Sequence, residues 1–198
     1  MHTMKIKPDF DHLYSIAEDQ AGYFTTRQAS EAGYTRERLS DLTTRGQFIR
    51  IQRGIYRLPH FPASRFEDLF IAHLRAGPAS VISHDSALAV YDLSDVLPSE
   101  THIIIPRTGS RRRDGLRLHT HKIQDNEITK REGLPVTTPA RTIADMITSG
   151  LGYELVKQAV VEALQRGLTT KANLLDQAER HSRQVAETMQ KILKEVSS

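Results

Sequence analysis

Glycine spacing constrains the first third of this sequence more than any other feature. Gly22, Gly33, Gly46 and Gly54 divide it into segments with room only for single short elements. Asp9–Ala21 places Phe10, Leu13, Tyr14 and Ala17 at helical spacing before Gly22. Thr25 stands where it caps a helix over Thr26–Ala32, which Gly33 stops, and Thr35 where it caps one over Arg36–Arg45, which Gly46 stops. Phe48-Ile49-Arg50-Ile51 and Ile55-Tyr56-Arg57-Leu58 then read as two strands around Gln52-Arg53-Gly54. Gly54 supplies the positive φ of a tight hairpin and Arg53 sits at its tip.

Three helices followed by a basic hairpin is the order of a winged helix-turn-helix, and the turn between the second and third helices has a suitable length. Residues 1–62 hold nine basic side chains, seven of them arginines between Arg27 and Arg57, against seven acidic ones. On the third helix, Leu39 and Leu42 share the face expected to pack inward. Arg38, Ser40, Asp41, Thr44 and Arg45 point away from it, with Arg36 on the flank. A recognition helix presents such residues to base edges, where arginine bonds guanine bidentately. Arg27 and Arg53 are placed for phosphates, which position the protein without reading sequence. The expected DNA-contacting set is therefore Thr25, Arg27, Thr35, Arg36, Arg38, Ser40, Thr44, Arg45 and Arg53. The plainer alternative, a solvated charged face on a small helical module, accounts for the arginines but not for the caps, glycines and hairpin.

Composition narrows the remaining classes. The 198 residues carry a net charge of +3 and contain no cysteine, which excludes disulfides, thiolate metal sites and cysteine catalysis. No apolar run approaches the length of a membrane span and the start has no apolar leader, so a cytosolic chain without membrane partners is expected. The prolines of Leu58-Pro59-His60-Phe61-Pro62 suggest a linker, giving domains at 1–62 and 63–198.

The larger part reads as mixed α/β with a helical end, making the whole chain α+β. Helices are expected over Ser64–Ala76, Asp85–Tyr91 capped by Ser83, a segment opened by Thr138-Pro139, Tyr153–Arg166, Lys171–Glu179 and Ser182–Val196. Val81-Ile82, His102–Ile105 and Leu116–Ile123 read as strands. The last helix bears an apolar stripe, Val185, Met189, Ile192, Leu193 and Val196, expected to pack on its own domain. A partner-binding surface is the alternative.

Three constellations suggest catalysis, and each is incomplete. His119 and His121 share one strand face, and His84 and His102 are free to approach them in space, but no third ligand has diagnostic spacing, so no metal site is assigned. Gly109-Ser110 with Asp114 resembles a nucleotidyltransferase turn that lacks its carboxylate pair. Glu127 and Lys130 lack the acidic partner a nuclease needs. No catalytic residue or cofactor is expected. Arg111, Arg112 and Arg113 form the densest charge cluster, a second contact for DNA or an acidic partner, or a charged loop. Arg141 and Asp145 fall at i, i+4 and read as a structural pair.

Two stretches carry a family resemblance. Gly22-Tyr23-Phe24-Thr25-Thr26-Arg27-Gln28-Ala29, with Arg45-Gly46 through Arg53-Gly54-Ile55-Tyr56-Arg57-Leu58-Pro59, resembles the winged-helix domain of AbiEi antitoxins of bacterial abortive-infection systems. Gly133-Leu134-Pro135-Val136-Thr137-Thr138-Pro139-Ala140-Arg141-Thr142-Ile143-Ala144-Asp145-Met146 is similar to a motif of that family's C-terminal domain. The resemblance implies an autorepressor that binds double-stranded operator DNA, as a dimer or cooperative pair. It also implies a cognate nucleotidyltransferase-type toxin, neutralised without a necessary stable complex. The alternatives are a winged-helix regulator whose second domain senses a ligand or oligomerises, and a metal-dependent nuclease.

Overall fold

The computed structural model describes residues 7–93, 98–106 and 113–196. Its architecture is mixed α+β, in two compact units, Met1–Pro78 and Ala79–Ser198.

In the first unit the polar caps act where the sequence places them. The Asp9 carboxylate accepts from the His12 N–H at the head of α1 (Phe10–Glu18), and Thr35 Oγ1 accepts from the Arg38 N–H at the head of α3 (Arg36–Thr44). Thr25 and Gln28 form a reciprocal capping box at α2 (Thr26–Glu31), satisfying two backbone donors at once. Strand β1 (Tyr23–Thr25) precedes α2 directly, and the hairpin is built from β2 (Ile49–Gln52) and β3 (Ile55–Arg57). These three strands form an antiparallel sheet in the order β1-β3-β2, so β3 is its centre.

The core under this sheet gathers Leu13, Ala17, Phe24, Leu39, Leu42 and Phe48. Phe24 meets Phe48 edge-on at 5.1 Å and stacks on Tyr56 at 5.7 Å, which joins β1 to β3 and to the residue just before β2. Leu39 and Leu42 are the buried positions of α3, as their spacing requires. The unit extends past the Leu58–Pro62 segment to include α4 (Glu67–Ala76), whose Phe70 stacks on Tyr23 of β1.

The second unit is organised on a five-stranded sheet, in the order β6-β5-β4-β8-β7. Its strands are β4 (Val81–Ile82), β5 (Thr101–Ile104), β6 (Leu116–His119), β7 (Ile128–Arg131) and β8 (Leu134–Thr137). Pairs β4–β8 and β5–β6 are parallel, while β4–β5 and β7–β8 are antiparallel. Helix α5 (His84–Val90) follows β4 at once, and α6 (Pro139–Thr148) follows β8, with Thr138 as its cap and Pro139 in its first turn. Helices α7 (Tyr153–Gln165), α8 (Lys171–His181) and α9 (Arg183–Val196) complete the unit. Val185, Met189, Ile192 and Leu193 of the α9 stripe are buried, and α9 packs on α6, α7 and α8, so the stripe serves its own unit.

Ser83 departs from its expected role. It occupies the N-cap position of α5 but makes no capping bond; its hydroxyl lies 3.0 Å from Nδ1 of His84 instead.

Candidate nucleic-acid interface and histidine cluster

Capping and packing in the first unit leave one polar face of α3 outside. With Leu39 and Leu42 turned into the core, Arg36, Arg38, Ser40, Thr44 and Arg45 are exposed. On the hairpin, Arg50 and Arg53 are also exposed, and Gly54 adopts a φ of +83° that closes the turn. That φ is costly for any residue with a Cβ.

The expected contact residues divide by what already holds them. Thr25 and Thr35 are caps whose hydroxyl oxygens accept backbone N–H groups, and the Thr44 hydroxyl donates to the Ser40 carbonyl at 3.0 Å. Arg27 Nε lies 2.9 Å from Glu31, and Asp41 takes both Arg45 at 2.9 Å and Arg38 at 3.9 Å. Arg36, Arg50 and Arg53 have no carboxylate partner among the described residues. Arg50 was not in the expected contact set, although its alternation with Ile49 and Ile51 on a hairpin strand was the available signal. Arg57, the last of the seven arginines, is structural: its Nη2 donates to the carbonyls of Phe61 and Pro62, and its guanidinium lies 5.4 Å from the Tyr23 ring centre. Of the second cluster, Arg111 and Arg112 lie outside the described residues, while Arg113 forms an antiparallel bridge with Leu116. Gly109 and Ser110 are likewise outside them.

The second unit buries two polar constellations. In one, Arg141, 3% exposed, donates from Nη1 to Glu127 at 2.8 Å and from Nε to Asp145 at 2.9 Å. Gln177 donates to the other Glu127 oxygen at 2.6 Å, and the Gln124 N–H adds another bond at 2.8 Å. Burial pushes the Glu127 carboxyl up, but the bonds from Gln124 and Gln177 and the Arg141 charge outweigh it and hold the group below the usual carboxylate range. For Asp145 burial wins over Arg141, and its carboxyl is raised. The sequence pairs Arg141 with Asp145 correctly; Glu127, fourteen residues upstream (141 − 127 = 14), enters only through the β7–β8 hairpin.

In the other, β4 and α5 place His84 beside His102 of β5 and His119 of β6. Parallel pairing sets His102 opposite Arg117 and Ile104 opposite His119, so His102, Ile104 and His119 share one sheet face. One ring nitrogen from each of His84, His102 and His119 lies within 4.8 Å of the others. The His84 and His119 rings stack at 3.7 Å, and exposed His121 stands 6.0 Å from His119 at the rim. Burial, reinforced by the His119 and His102 rings, pushes His84 down to about 2. Burial and the His102 ring take His119 down to about 4. Burial lowers His102 as well, against the opposing pull of Asp85. The sequence offered His119 and His121 as a pair; sheet topology supplies the two partners that spacing alone does not.

Comparison with known proteins bears on the first of these sites. Residues 12–59 match the model of a family described as "Transcriptional regulator, AbiEi antitoxin", so the expected resemblance is shown for the segment from α1 through the hairpin. No curated protein matches in sequence. Among solved structures the chain is similar to the crystal structure of RV2827C protein from Mycobacterium tuberculosis, with a TM-score of 0.54 and 16% identity. That similarity covers 94% of this chain and 76% of the other, and it concerns the fold. No helix among the described residues is long and apolar enough to cross a membrane.

Proposed function

We propose that this chain is a cytoplasmic DNA-binding transcriptional regulator that serves as the antitoxin of a toxin–antitoxin pair. The N-terminal unit is a winged helix-turn-helix in which α2 braces the duplex, α3 enters the major groove and the β2–β3 hairpin is the wing. The observation that carries this reading is the set of arginines with no carboxylate salt bridge among the described residues, Arg36, Arg50 and Arg53, on the helix and hairpin of the segment that matches the regulator family. Cations not tied up in a salt bridge are free to take up phosphates and release condensed counterions, which favours association with DNA.

In this reading Arg36 and Ser40 address base edges, while Arg53 and Arg50 address phosphates. The operator lies upstream of the protein's own gene and is bound by two copies. The partner is a nucleotidyltransferase-type toxin, counteracted through the second unit. No catalytic activity is proposed for the chain: the Glu127 carboxylate is engaged by Arg141 and Gln177, which argues against a nuclease built on it.

A fluorescence-anisotropy titration of labelled upstream DNA against random DNA, at several salt concentrations, tests the regulator. Tighter binding to upstream DNA is the expected result; equal affinity for both overturns autoregulation. Plasmid incubated with the protein and Mg²⁺ or Mn²⁺ is expected to stay supercoiled, and nicking would make it a nuclease. Co-expression with the neighbouring nucleotidyltransferase gene is expected to restore growth that the toxin alone arrests.

A further inference from the structure

We propose that His84, His102 and His119 of the second unit form a binding site for a divalent transition-metal ion of the zinc class. Three imidazoles converge there from three elements, the start of α5, β5 and the end of β6. Imidazole suits zinc and its late first-row neighbours and is a poor ligand for magnesium or calcium.

The ring nitrogens are already sorted. Nδ1 of His84 faces the Ser83 hydroxyl at 3.0 Å, and Nδ1 of His102 lies 3.2 Å from the Asp85 carboxylate. These contacts leave Nε2 of both rings for another partner, and a carboxylate behind a ligating imidazole is the usual way such a ring is oriented. Nε2 of His119 is buried with no hydrogen-bond partner among the described residues. Nδ1 of His102 also makes no aligned hydrogen bond, despite its closeness to Asp85. The buried, unbonded Nε2 of His119 is costly, because it forgoes its bond to water, and a metal ion at the cluster would satisfy it.

The backbone is committed to the same point. His84 has a φ of +50°, in the left-handed region, and is 2% exposed. That conformation costs a non-glycine residue on the order of 1 kcal/mol and is retained where surrounding structure demands it. Three imidazoles around tetrahedral zinc, with Zn–N near 2.05 Å, place their nitrogens about 3.3 Å apart. No separation here exceeds 4.8 Å, so closure draws the nitrogens in by at most about 1.5 Å, within reach of ring rotation at the half-buried His119. The stacked His84–His119 pair opens as it closes. Exposed His121, its ring 6.0 Å from that of His119, stands at the rim of the cluster.

The test uses the full chain, stripped with a chelator and titrated with Zn²⁺ or Co²⁺ alone. One equivalent is expected, with the intense visible d–d bands of tetrahedral Co²⁺. In ¹⁵N-histidine spectra of the unmutated chain, the ring nitrogens of three of the nine histidines should shift on adding one equivalent of Zn²⁺. His119→Gln, on an edge strand, is expected to abolish the Co²⁺ bands. Asp85→Asn weakens binding roughly 10–100-fold by releasing the His102 ring. His12→Ala and His60→Ala in the first unit change nothing. Absence of Co²⁺ bands and of ¹⁵N shifts in the unmutated chain at equimolar metal overturns the site, as do shifts confined to other histidines. The ¹⁵N measurement needs no substitution, so an unfolded variant leaves the outcome decidable.

Discussion

Six exposed arginines crowd α2, α3 and the hairpin, but their surroundings make them unequal as candidates for the proposed DNA contact. Arg53 stands alone at the turn, and Arg53→Ala should weaken binding to every sequence and flatten the slope of log affinity against log salt by about 0.9, one phosphate contact. Arg36→Ala should instead reduce the preference for operator over random DNA, by about 1–3 kcal/mol if a bidentate base contact is lost. Asp41 is the counterweight on α3, within reach of both Arg38 and Arg45. Replacing it by Asn frees two guanidiniums, so Asp41→Asn should tighten non-specific binding and steepen the salt slope. Anisotropy titrations over a salt series measure all three. An unchanged slope for Asp41→Asn would mean that Arg38 and Arg45 do not face the duplex. Among buried groups the balance is stricter. Arg141→Met strands Glu127 and Asp145 in the interior, which should cost on the order of 3–5 kcal/mol in urea denaturation. The exposed Arg183–Glu187 pair, of similar length, should be worth less than about 1 kcal/mol.

At the scale of elements, caps and turns decide whether the short helices of the first unit persist. Helix α2 has six residues and little intrinsic stability, so the capping box carries much of it. Thr25→Ala should destabilise the unit by about 1 kcal/mol and loosen the β1–α2 junction, measured as a lower melting temperature with weakened DNA binding. Gly22 is harder to replace: its φ is +88° and a Cβ would lie 2.6 Å from that of Phe61, so Gly22→Ala should cost more than the cap. These elements were legible in the sequence because caps and glycine stops are local signals, written within a few residues of what they control. Strand β1 was not, since a three-residue strand that follows a glycine stop and ends on a cap shows no periodicity. Strands β7 and β8 were missed for a related reason: Pro135 interrupts the pattern, and the strand character of Leu134 and Val136 comes from pairing with β4 and β7. The histidine cluster and the Glu127–Arg141 bond belong to the same class, because each joins residues that only sheet topology brings together.

At the scale of the whole molecule, two units with separate cores make unfolding a test of which residues act together. Leu13, Phe24, Leu39 and Phe48 hold the first unit, and Ile82, Ile103, Val136 and Ile143 lie in the second. Separate cores break the two-state assumption for the intact chain, so calorimetry should resolve two components. Thr25→Ala should lower one of them and Arg141→Met the other, with little cross-effect. Zn²⁺ should raise only the component that Arg141→Met lowers, because a ligand stabilises the cooperative unit that contains its site. At 100 times its dissociation constant, free metal adds about 2.7 kcal/mol to that unit. Operator DNA should raise only the component that Thr25→Ala lowers. A single transition shifted by both substitutions would mean that the units unfold as one. Zn²⁺ acting on the component that Thr25→Ala lowers would instead move the metal site out of the second unit, to histidines such as His12 or His60.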